Sequence, residues 1–166
     1  MKAMILTCFL CFLLTGSSFL DSLLPKEEFF CRVNGEKFRP EKDDSPVGGI
    51  GSTPLRVEWY KDKKTLFISV RDSPREIGFI ILFPNEQIEV QSFLLKPDIN
   101  ASKAYFTPSN SHSAPVENII SQEGTFTVSK IDGYNLSGTF EFTCKSAKNG
   151  KEYTITKGEF NDISYY

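Results

Sequence analysis

One histidine and one tryptophan are all that 166 residues hold of those two side chains, and methionine occurs twice. The histidine, His112, lies in the polar stretch "SNSHSAP" with no carboxylate or cysteine beside it. A nucleophile–base pair or a metal site needs partners held in place. His112 therefore reads as solvated surface, and no catalytic residue is assigned. Charge of one sign is missing too: Lys and Arg number 19, Asp and Glu 21, a net of −2. That balance gives no field to hold nucleic acid. Neither a phosphate loop nor a glycine-rich nucleotide fingerprint occurs. "EKDD" (Glu41 to Asp44) lacks the alternating oxygen ligands and fixed turn of a calcium loop. No metal and no cofactor is expected.

Long apolar runs are absent after the first residues. "MKAMILTCFLCFLLTGSS" has a basic start at Lys2, an apolar stretch from Ala3 to Leu14 and small residues at Gly16, Ser17 and Ser18. That order describes a secretory signal peptide, residues 1–18. The stretch is too short for a membrane span, which needs about 20 apolar residues. The chain is therefore expected to be exported, to the periplasm, the cell surface or the medium, with no span left after cleavage. Cys8 and Cys11 lie inside the apolar run, and neither follows the small residue expected before a lipidated cysteine, so lipid anchoring is the weaker expectation. Cleavage removes Lys2 and leaves 18 basic residues against 21 acidic ones.

Helical spacing is scarce in what remains, residues 19–166. Alternation of period two dominates, with many β-branched and aromatic residues. Phe29, Cys31 and Val33 share one face of a first strand, and Asn34-Gly35 is the strongest short hairpin signal. Leu55, Val57 and Trp59 point one way, and Arg56, Glu58 and Tyr60 the other. "EIGFIILF" (Glu76 to Phe83) is apolar on both faces and belongs in the middle of a sheet. "KAYF", "GTFTVSKI", "LSGTFEFTCKS" and "KEYTITKGEF" supply further strands. In the last, Tyr153 and Ile155 are odd and Phe160 is even, a change of parity that predicts a bulge near Gly158. The reading is one all-β domain of roughly ten strands, mostly hairpin-connected, as an antiparallel β-sandwich or β-barrel.

Two cysteines survive cleavage. Cys31 lies with Phe29 and Val33, and Cys144 with Phe140 and Phe142, each on the apolar face of its strand. An even pair in an exported chain predicts a disulfide between Cys31 and Cys144. In the chain-entropy model it would stabilise by up to about 4–5 kcal/mol. The alternative is two separate buried thiols that pack as small hydrophobes. Thirteen Phe, six Tyr and the Trp remain in the mature chain, enough for a plain aromatic core or for the lining of a ligand cavity.

The C-terminal third carries Gly124 to Asp132 ("GTFTVSKID"), Ser137 to Phe142 ("SGTFEF") and Tyr153 to Phe160 ("YTITKGEF"). With "FFCRVNGEKFRP" (Phe29 to Pro40) and "KAYFTPS", these resemble a family of small exported or lipid-anchored all-β proteins from Bacteroidetes bacteria. The resemblance implies the fold class and the address; the family supplies no activity. Two positions depart from it: no lipidated cysteine follows the signal, and Cys31 and Cys144 stand where small residues such as Ala are expected. The function expected is non-catalytic binding of a small ligand, a glycan or an envelope protein, with Tyr60, Tyr105 and Tyr134 as contact candidates. The alternative is a hydrolase using paired carboxylates at the mouth of a barrel.

Overall fold

Asn34 and Gly35 both take positive φ, +50° and +86°, as a two-residue turn matched to strand twist requires. They join β1 (Phe29–Val33) to β2 (Glu36–Phe38). A computed structural model of the chain describes this hairpin within residues 26–41, 53–109 and 116–166. The expected signal peptide, most of the Glu41–Pro54 loop and His112 lie outside the described residues. The remaining strands are β3 (Leu55–Tyr60), β4 (Thr65–Asp72), β5 (Arg75–Leu82), β6 (Gln91–Leu94), β7 (Lys103–Thr107), β8 (Ile119–Asp132), β9 (Asn135–Lys145) and β10 (Glu152–Ser164).

The ten strands form one antiparallel sheet that curls into a half-barrel, in the order β2-β1-β10-β9-β8-β7-β5-β4-β3, with β6 beside β8. Neighbours in sequence are mostly neighbours in space. Two departures matter. β1 crosses the whole chain to pair with β10, Phe29 opposite Phe160 and Val33 opposite Ile155. β8 pairs with β7 through Ile119 and Ile120, then with β6 from Thr125 to Val128, so one strand belongs to both limbs of the curl. The ladder with β9 shifts between Ser121 and Glu123, a bulge that lets β8 turn the corner. At Gly124 a Cβ would lie 2.4 Å from Glu141 O and from Phe142 Cβ; the bare backbone allows β8 to lie this close to β9 at the bend.

The expected bulge in the last strand is present. The β9–β10 register shifts between Ile155 and Gly158, and Lys157 takes φ +52°. A second shift follows between Phe160 and Ile163, with Asp162 at φ +52°. The two bulges bend β10 enough to follow the curl while Tyr153, Ile155, Phe160 and Ile163 all stay buried.

Phenylalanines fill the interior. Phe79 of β5 meets Phe126, Phe140 and Phe142 across the curl, at centroid distances of 5.1, 4.8 and 6.0 Å. Phe29 stacks on Phe140 at 5.0 Å and Phe126 on Phe160 at 5.0 Å. These rings are almost wholly shielded from solvent. Offset and edge contacts at these distances favour packing over an open cavity, so these phenylalanines form a plain core rather than a ligand chamber.

The disulfide is the correction. Cys31 and Cys144 are both free and buried. β10 lies between β1 and β9, so the two cysteines are two strand spacings apart, about 10 Å. Cys144 faces Tyr153, whereas Cys31 falls between the partners of Glu159 and Thr156, level with Phe140. That adds a four-residue offset of about 13 Å along the strands. A bridge needs Cα atoms within about 7 Å. The ladder itself ties the first strand to the last. Asn34 N–H donates to Thr154 O at 2.9 Å, and Asn34 Oδ1 accepts from Thr154 N–H at 2.8 Å. Asn161 Nδ2 reaches back to Glu27 O at 2.9 Å.

Candidate functional site

The three tyrosines singled out from the sequence have different fates. Tyr105 is half-buried and lies across Gly78, where a Cβ would sit 2.1 Å from its ring. Its hydroxyl donates to Glu76 Oε1 at 3.0 Å, beside Ser69 Oγ, which donates to the same oxygen at 2.9 Å. Burial, then the Glu76 carboxylate, push its pKa above the ordinary phenol value. Tyr105 packs on the outer face of β5, with its hydroxyl held by Glu76.

Tyr60 and Tyr134 are exposed, at 43% and 74%. The residues after β10 join them. Tyr165 N–H donates to Tyr134 O at 3.0 Å, and their rings meet edge to face at 5.8 Å. Trp59 N–H, on the open side of the edge strand β3, donates to Tyr166 O at 3.1 Å. Tyr166 is itself 77% exposed. The result is a ledge of tyrosines along one rim of the half-barrel. The sequence reading missed Tyr165 and Tyr166; the signal available was the aromatic pair directly after the alternating run of β10.

Charged groups beside the ledge hold one another in place. Arg56 Nε donates to Glu58 Oε1 at 2.7 Å, and Tyr60 donates its hydroxyl proton to Glu58 Oε2. The Tyr60 and Arg56 hydrogen bonds draw the Glu58 pKa below the usual carboxylate range. Glu58 in turn raises that of Arg56, with smaller contributions from Tyr60 and Tyr166 nearby. Lys63 Nζ sits 5.7 Å from the Tyr60 ring centroid. Arg56, Tyr60 and Lys63 are exposed and Glu58 is half-buried between them, so the network orients side chains more than it stabilises the fold.

The cysteines offer no reactivity to complement the ledge. Burial pushes both thiols up to about 12, so neither is a thiolate at neutral pH. Among the described residues no group of three or more His, Cys, Asp or Glu could hold a metal ion, and no helix is long and apolar enough to cross a membrane. Two glutamates, Glu123 and Glu141, do share a concavity on the outer face of β8 and β9, and both are exposed. No protein-family model, no curated protein and no solved structure matches the chain.

Proposed function

We infer that the chain is an exported, non-catalytic binding domain and that the tyrosine ledge is where it takes a glycan. The carrying observation is that Tyr60, Tyr134 and Tyr166 stand 43%, 74% and 77% exposed along one rim. Tyrosine offers an apolar face and a polar tip with little rotamer entropy to lose. A sugar ring is its counterpart, with C–H groups on its face and hydroxyls at its rim. Arg56 and Glu58, already fixed against each other, supply donors and an acceptor for those hydroxyls. Export rests on the signal pattern of residues 1–18 and on the resemblance of the strand motifs to an exported family. The paired-carboxylate hydrolase draws less support: a general acid that keeps its proton at neutral pH needs an apolar surround, and Glu123 and Glu141 are exposed.

Titration calorimetry of the mature chain against a panel of neutral, amino and acidic oligosaccharides tests this. Tyr134→Ala and Tyr166→Ala should each weaken a binding glycan about three- to ten-fold, the worth of one aromatic contact, with the melting temperature unchanged. A panel with no binder, or a binder indifferent to both substitutions, ends the reading.

A further inference from the structure

A second surface, away from the ledge, points to a different ligand. Where β8 turns its corner, two concavities of about 580 and 370 Å³ meet at Leu94, Glu123 and Gly124. The first continues past β6 to Pro97 and Asp98. The second runs across the sheet, over Thr125 of β8, Glu141 and Thr143 of β9 and Thr154 of β10. Register places these side by side: Thr143 faces both Glu123 and Thr154, and Glu141 faces Thr125. The groove therefore crosses three strands and reaches a fourth, a span of about 14 Å. About four residues of extended chain cover that distance.

Its walls are apolar and its charge is one-sided. Leu94 is 64% exposed, and the threonine methyl groups extend the apolar surface. Three carboxylates, Asp98, Glu123 and Glu141, line it against one ammonium, Lys96. Elsewhere on the sheet Glu58, Asp72, Asp132 and Glu152 each pair with a Lys or Arg. Among the described residues neither Glu123 nor Glu141 is in an ion pair. We propose that this groove binds an extended segment of a partner protein that presents a lysine or arginine beside an aliphatic side chain. The aliphatic group covers Leu94, and the cation lies between Glu123 and Glu141. The occupant is chosen by charge: an acidic or purely apolar segment would leave both carboxylates desolvated without a counter-ion.

The test uses two fluorescein-labelled octapeptides, one alternating Leu and Lys and the other alternating Leu and Glu, titrated into the mature chain at low salt. Expected is at least ten-fold tighter binding of the Lys peptide. Backbone NMR shifts should be confined to residues 94–98, 122–125 and 141–143. The double variant Glu123→Gln, Glu141→Gln should cut Lys-peptide affinity about ten-fold, and Leu94→Ser should weaken it too. All three positions are exposed, so the variants fold, and unchanged melting temperatures check this. Equal affinity for the two peptides overturns the proposal. So do shifts elsewhere, indifference to the double variant, or an oligosaccharide that shifts the same groove residues in place of the peptide.

Discussion

Lys157 shows what one residue contributes to a strand's path. A side chain at φ +52° is strained, and the left-handed region costs a non-glycine residue about 1 kcal/mol. Lys157→Gly should therefore stabilise the chain by about 0.5–1 kcal/mol, read from the urea midpoint; a loss of stability would mean that the bulge needs the lysine itself. Cys31 and Cys144 give a prediction of opposite kind. With no bridge between them, a chain lacking residues 1–18 should resist alkylation when native, and when denatured without reduction it should take two labels by mass. Their pH dependence follows from burial. Each thiol's pKa rises from 9.0 unfolded to about 12 folded, so the folded state favours the protonated form. The stability gained is fully present below pH 9 and declines as pH rises toward 12. Replacing both cysteines with Ala should flatten that alkaline decline, measured as melting temperature against pH relative to the parent chain.

Strands were legible wherever one face was apolar and the other polar. β1 with its Asn34-Gly35 turn, β3, β4, β9 and the bulge at Lys157-Gly158 follow directly from alternation and turn chemistry. β5 announced its central place by being apolar on both faces, and it does lie between β4 and β7. Three features were hidden. β8 begins at Ile119, but "SQEG" reads as a break because a bulge sits there. β6 pairs with β8 although β5 precedes it and β7 follows it, while its Phe93 packs on Phe83, just beyond β5, at 4.7 Å; no local pattern encodes either contact. The spacing of Cys31 and Cys144 across the sheet depends on β10 coming between them, which no local pattern encodes. The ledge was half legible, since Tyr60 and Tyr134 stand out while their link through Tyr165 and Tyr166 is a contact at long range. Among the elements, β5 carries the ring that touches most of the opposite limb. Phe79→Ala should cost about 3–5 kcal/mol, seen in chemical denaturation, and a loss under 1 kcal/mol would show that the core is looser than its ring distances imply.

At the scale of the molecule, the first hairpin seals the long edge of β10. Arg75 holds its far side: Nη2 donates to Lys37 O at 2.9 Å and the guanidinium lies 5.5 Å from the Phe38 ring centroid. A chain starting at Glu41 should expose β10 as an unpaired edge and self-associate, visible as oligomers by size-exclusion light scattering; a stable monomer would mean that another segment covers the edge. The same topology fixes where additions can go. Asn161 N–H donates to Glu28 O at 2.9 Å, and Lys26 shares a surface concavity with Lys130 and Asp162, close to the rim that Tyr134 and Tyr165 occupy. Whatever is joined behind Tyr166 thus leaves the body beside the tyrosines. An affinity tag, a fluorophore or a bead linker there would crowd that rim and blunt a glycan measurement. The exposed turn from Asp98 to Ala101 lies across the body from the rim but borders the groove, so a label there suits sugar titrations and not peptide ones.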